Sequence, residues 1–166
     1  MPAHGSNPEA FTPEWIFKGL RTRFDLDPCA PGEPCPSMVY CNAWYALARG
    51  QDGLLLPWFG LVWLNPPWTR GEKVKWVGKL AHHGDGIALV RGGVDSAWLH
   101  LFPPDALWLL RGRVKYLTPA GVTLPVRKGG ATGPFEPSML IAYGTLATAI
   151  LRNAELPGFF ARREPA

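Results

Sequence analysis

The stretch Leu61-Val62-Trp63-Leu64-Asn65-Pro66-Pro67-Trp68 decides the reading of this chain. Four large apolar residues in succession fit a strand buried on both faces, as in a parallel sheet. They run straight into two prolines, which end the strand because proline fixes φ and lacks the N–H a ladder needs. Upstream, Phe24-Asp25-Leu26 reads as a short strand that runs into Asp27-Pro28. Downstream, Ile87-Ala88-Leu89-Val90 repeats the buried-strand pattern. Thr12-Pro13-Glu14 looks like a helix start, with Thr12 as N-cap and Pro13 at the first helical position. Further helices are expected over 41–48 (weak), 72–82 (basic) and 95–102 (short). Strands are expected over 107–110, 114–117, 122–126 and 138–143, around proline and glycine turns. Alternating strands and amphipathic helices followed by a strand-rich end predict an α/β fold, with a mostly parallel sheet and a C-terminal antiparallel hairpin.

Length and composition set the frame. The chain has 166 residues and 18.2 kDa, the size of one domain. The expected layout is a frayed N-terminus over 1–10, a single domain over 11–155 and a flexible C-terminal tail over 156–166. A charged fraction of 18% against 47% hydrophobic residues excludes a disordered charged tail. No apolar run is long enough for a membrane helix, so no membrane association is expected. MPAHGSNPEA lacks the basic and apolar regions of a secretory signal. Three cysteines, an odd number, fit reduced thiols in a cytoplasmic setting. Cys29, Cys35 and Cys41 form no close pair, and no metal site is expected. No Ser/His/Asp pattern surrounds the histidines. No Pro-Cys follows the central strand, so a covalent attack on cytosine C5 has no support.

The chemistry of Asn65-Pro66-Pro67-Trp68 follows from its residue types. A planar exocyclic or amide nitrogen is a poor nucleophile, because its lone pair is delocalised. The Asn65 side-chain oxygen and the Pro66 carbonyl are both acceptors. Placed on the two N–H bonds of such a nitrogen, they draw it toward a pyramidal shape and free its lone pair toward a methyl donor. Pro66 and Pro67 stiffen the turn, and Trp68 offers a ring on which a flat base can stack. This is positioning rather than acid–base chemistry. The same residues are also simply a turn after a strand. In open sheets, sites lie at the carboxyl ends of strands, where both Asp27 and Asn65 fall.

With these pieces in order, the chain resembles the phage-type, Dam-like DNA N6-adenine methyltransferases. The likeness rests on Thr12-Pro13, Leu26-Asp27-Pro28-Cys29-Ala30, Asp52-Gly53-Leu54 with Trp58, Val62-Trp63-Leu64-Asn65-Pro66-Pro67-Trp68 and Trp76. Later pieces are Leu89-Val90-Arg91 with Asp95 and Trp98, Gly112-Arg113-Val114, and Pro137-Ser138-Met139-Leu140. It spans about residues 11 to 145; its order and spacing, rather than any one piece, make it specific.

The resemblance implies a Rossmann-like fold and S-adenosylmethionine as methyl donor. Thr12 and the helix start at Pro13 would hold the donor's carboxylate, and Asp27 its ammonium. Pro28, Cys29 and Ala30 would line the methionine part. Asp52 would accept from the adenine amine, with Leu54 against the ring. Asn65, Pro66, Pro67 and Trp68 would grip a flipped-out target adenine. The Gly-x-Gly of the wider class is missing, with only Gly32 nearby. No acid stands at a second strand end, so the donor's ribose has no assigned partner. The setting implied is the cytoplasm of a bacterium or phage-infected cell.

A net charge of +4 and pI near 9.2 permit a polyanionic partner. Arg70 and Lys73 follow the motif closely, with Lys75 and Lys79 behind them. Arg111, Arg113, Lys115, Arg127 and Lys128 form a second basic group on the expected hairpin. Arg70, Lys73, Arg91, Arg113 and Lys115 are the expected DNA contacts. Other planar nitrogens (cytosine N4, guanine N2 in RNA, a protein glutamine amide) and a non-catalytic DNA-binding remnant are the alternatives. The sequence leaves monomer and homodimer equally open.

Overall fold

The computed structural model describes residues 10–69, 71–118, 120–123 and 137–164. Of the segment expected to be frayed, 1–9 lies outside the described residues. The strands are β1 (Phe24–Asp27), β2 (Cys41–Trp44), β3 (Val62–Leu64), β4 (Gly86–Arg91), β5 (Ala106–Leu110), β6 (Ser138–Tyr143) and β7 (Gly158–Arg162). The helices are α1 (Glu14–Leu20), α2 (Ser37–Tyr40), α3 (Glu72–His83), α4 (Ala97–Leu101) and α5 (Thr145–Arg152). Among the described residues the strands form one mixed sheet in the order β2-β1-β3-β4-β6-β5-β7. The first half is parallel: β2 with β1, β1 with β3, and β3 with β4. From β4 onward every pairing is antiparallel.

Alternation along the central strands builds two cores. Trp63, Ile87 and Leu89 point to one face, and Val62, Leu64, Ala88 and Val90 to the other. Ile16, Phe17 and Leu20 of α1 cover the first face with Ala147 and Leu151 of α5. Trp76, Val77 and Leu80 of α3 cover the second, spaced so that they share one helix side. With both faces covered, β3 and β4 are buried at every residue, as continuous apolar runs require.

Several expectations are corrected. Thr12 is not the N-cap; Pro13, extended at φ −62° and ψ 138°, takes that place, and no side chain caps the helix. The helix expected over 41–48 is instead β2 and a 3-10 turn, Leu47–Arg49. Pairing with β1 decides this, because a four-residue segment has too little helical propensity to resist a ladder partner. The expected tail over 156–166 carries β7, which binds β5 along its whole length. The antiparallel part of the sheet is thus formed by β6, β5 and β7, and the hairpin expected over 111–135 is described only in part. There Leu117 makes single bridges to Phe11 and Thr123, and 124–136 lies outside the described residues. The helix over 95–102 shrinks to α4.

Candidate active site

Parallel pairing puts the carboxyl ends of β2, β1, β3 and β4 in one row, so Tyr45, Pro28, Asn65 and Arg91 follow each other along one sheet edge. Backbone bonds from Tyr45 N–H to the Asp27 carbonyl (2.8 Å) and from Ala30 N–H to the Tyr45 carbonyl (3.0 Å) carry the ladder into the loops. Between these loops lies a cavity of about 310 Å³, within the range of small-molecule sites. Its wall joins Pro28, Cys29 and Ala30 to Asp52 and to Asn65, Pro66, Pro67 and Trp68. The residues expected to line a donor and those expected to hold a base thus share one cavity. Tyr45, Leu47, Gln51 and Trp76 also line it and were not anticipated as site residues. Missing β2 hid Tyr45 and Leu47. Gln51 carried no signal beyond its place before Asp52.

Asn65 is fixed by what it donates. Its Nδ2 bonds the Ala10 carbonyl at 2.9 Å and Thr12 Oγ1 at 3.3 Å. A main-chain carbonyl can only accept, so this sets which way the amide faces. Its Oδ1 is buried and has no hydrogen-bond partner. An unpaired buried acceptor costs free energy, and such atoms in native proteins call for a reason. Trp68 is half-buried, with the Arg91 guanidinium 4.0 Å from its ring centroid and Tyr116 meeting it at 4.7 Å and 72°.

A clasped loop forms the opposite wall. Asp52 Oδ1 accepts from Leu54 N–H at 2.9 Å. Lys79 Nζ donates to the carbonyls of Gly53, Leu54 and Leu56 at 3.0, 2.9 and 2.6 Å. Trp58 Nε1 also donates to the Gly53 carbonyl, at 2.7 Å, and its ring stacks on Trp76. Gly53 is needed for closeness: a Cβ there would run into the Pro28 carbonyl oxygen. Gln51 Oε1, like Asn65 Oδ1, is buried without a partner.

Other expected donor residues stand off the cavity. Thr12 and Asp27 are buried and border a gap of only about 10 Å³, which shares Pro31 and Asn65 with the main cavity. Burial lifts the Asp27 carboxyl to about 6, against hydrogen bonds from the Ser37 hydroxyl and the Cys29 N–H. Burial, with the charges of Asp27 and Asp52, also raises the Cys29 thiol well above its ordinary range. A thiol held protonated is no nucleophile. Pro13 is buried at the start of α1, and Leu54 packs into the core beside α3; neither lines the cavity.

The expected DNA contacts divide. Arg91 is only 4% exposed, beneath Trp68, and in that place cannot reach a phosphate. Lys73 donates to the Arg91 carbonyl and lies 5.3 Å from the Trp98 ring centroid, so it too is turned inward. Its aliphatic stem and cation are used in packing, although the residue keeps part of its surface in solvent. Arg113 and Lys115 are exposed and alternate with buried Val114 and Tyr116. Since Tyr116 touches Trp68, this alternation sets the two cations outside the cavity corner. Arg70 lies outside the described residues.

Asp52 is the one charged residue on the cavity wall among the described residues. Such a wall suits a neutral or cationic small molecule and lacks the basic groups a polyphosphate would need. Among the described residues no cluster of three His, Cys, Asp or Glu could hold a metal ion. No described helix is long and apolar enough to cross a membrane. Compared with protein families, curated proteins and solved structures, the chain finds no match.

Proposed function

We propose that this chain is a Rossmann-like, phage-type DNA adenine-N6 methyltransferase that uses S-adenosylmethionine. The observation that carries the reading is the orphaned Asn65 Oδ1, held by its own amide donors on a strand-end corner of the cavity. An acceptor that is fixed and unpaired is open to an N–H from a ligand, and an exocyclic amine supplies one. The Pro66 carbonyl takes the second N–H, and Trp68, backed by Arg91, stacks the flipped adenine. The fit of the donor rests on the cavity's volume, its single negative charge at Asp52 and the close Pro28–Gly53 approach that shapes it. Pro28, Cys29, Ala30 and Asp52 would hold it. S-adenosylmethionine supplies a methyl carbon on a sulfonium; the N–C bond forms as the C–S bond breaks, and sulfur keeps the electron pair. The methylated nitrogen is acidic and releases its proton to solvent, so the site needs no ionised base. Arg113 and Lys115 would meet the phosphates.

The test incubates the protein with adenine-containing DNA and S-adenosylmethionine and analyses the nucleosides. N6-methyladenine, lost in Asn65→Ala, is the expected product. N4-methylcytosine, or methylation of RNA or protein alone, moves the chain to another planar nitrogen. No thermal shift with S-adenosylhomocysteine would mean a DNA-binding remnant and end the enzymatic reading.

A further inference from the structure

We propose that Gln51 binds the nucleoside half of the methyl donor, its Oε1 accepting a hydrogen bond from a ribose hydroxyl or from the adenine amine. This rests on the reading of the cavity as a donor site. Gln51 Oε1 is buried, lacks any hydrogen-bond partner and belongs to a residue of the cavity wall. It is the second such acceptor on that wall, after Asn65 Oδ1. Its place is not accidental slack. The Gln51 N–H bonds the Ala46 carbonyl at 3.2 Å, and Asp52 next to it is turned in by its own bond to Leu54 N–H. Lys79 pins the three carbonyls that follow. The backbone is therefore held on both sides, while the side chain, which makes no hydrogen bond of its own among the described residues, can turn its Oε1 into the cavity when a ligand arrives.

Gln51 Oε1 and the Asp52 carboxylate put two acceptors in adjacent residues. Such a pair selects the end of a ligand that carries several O–H or N–H donors. On an adenosyl group those are the ribose diol and the exocyclic amine; the amino-acid end offers an ammonium and a carboxylate, and the carboxylate would be repelled here by Asp52.

Titration calorimetry with S-adenosylhomocysteine, its 2′,3′-dideoxyribose analogue and its N6,N6-dimethyladenine analogue tests this. Gln51→Met keeps the length and volume of the side chain and removes the acceptor. It should weaken S-adenosylhomocysteine about tenfold. The analogue that has lost the partnering group should bind Gln51→Met and the wild type alike, and so names ribose or amine. Equal binding of S-adenosylhomocysteine to wild type and Gln51→Met overturns the proposal. So does an equal loss for all three ligands, which would mark lost packing. Without ligand, Gln51→Met should melt higher than the wild type, because an unpaired buried acceptor has gone; a lower melting point, or failure to fold, overturns the proposal as well. A wild type that binds none of the three ligands refutes the donor site itself, a separate result.

Discussion

The Arg91 guanidinium lies 4.0 Å from the centroid of the Trp68 ring, and Arg91 is almost fully buried. It ends β4, next to the corner that ends β3, so two neighbouring strands meet in this pair. Arg91 thus steadies the ring that would stack a base and does not meet DNA itself. In contrast, Arg113 and Lys115 face solvent. Arg113→Ala or Lys115→Ala should each lower the slope of log affinity against log salt by about 1. Arg91→Ala should leave that slope unchanged and should cost about 1–2 kcal/mol of stability, the range of a desolvated cation–ring contact. Filter binding across a salt series, with thermal melts beside it, reads both. A slope that falls for Arg91→Ala would put that side chain on the phosphates.

Asn65→Ala removes the orphaned acceptor together with the amide bonds to Ala10 and Thr12. Methyl transfer should fall at least about 100-fold, as for the loss of one preorganised group at a reacting centre. Stability should fall by about 1 kcal/mol for the lost bonds. S-adenosylhomocysteine affinity should not change. Single-turnover rates and calorimetry separate these effects; a collapse of ligand affinity would show that Asn65 serves the donor and not the target amine.

The parallel half of the fold was legible because Leu61–Leu64 and Ile87–Val90 are continuous apolar runs and because Asp27-Pro28 and Asn65-Pro66 mark strand ends, signals local to the sequence. β2 was not, because Cys41-Asn42-Ala43-Trp44 has little periodicity and becomes a strand through its pairing with β1. β7 was masked by the usual expectation that chain ends fray, although Phe159-Phe160 after a Pro-Gly turn is strand-like. In the site, Asn65 and Asp52 could be read from motifs. Gln51 could not, since only its burial without a partner marks it. Arg91 was misassigned for a physical reason: a cation near a site attracts phosphate only if it reaches solvent, and exposure is a tertiary property.

Lys79 shows the same limit. Its place on a basic helix suggests a solvated face, yet its ammonium closes on three carbonyls of the loop that bears Asp52 and lies 5.1 Å from the Trp58 ring centroid. Burial lowers its pKa, with Asp52 acting the other way. Lys79→Met keeps the stem and frees the carbonyls. Stability should drop by about 2 kcal/mol, the scale of bonds to a charged donor. Donor KM should rise with little change in kcat, since the loop wall is loosened while the Asn65 corner is intact. Melts and steady-state kinetics check this; an unchanged KM would mean that the loop holds its shape without the clasp.

Asp27 gives the site a pH dependence. Its carboxyl is raised from 3.8 to about 6 by burial. Between those values the folded protein keeps a proton that the unfolded chain has released. Folding stability from this group is therefore full below about pH 4 and is lost as pH rises through about 6. Thermal midpoints of the wild type should fall over that window relative to Asp27→Asn, which has no proton to lose. Ligand binding should run the other way if Asp27 pairs with the donor's ammonium, because an ammonium favours the ionised carboxylate. Near pH 5 only about a tenth of the carboxyl is ionised, so wild-type affinity for S-adenosylhomocysteine should rise about tenfold from pH 5 to 7. In Asp27→Asn it should be weak and flat. The gap beside Asp27 is too narrow for an ammonium unless the Pro31–Asn65 wall yields, so the pH profile also reports whether that wall opens. A flat wild-type profile would show that Asp27 does not hold the ammonium.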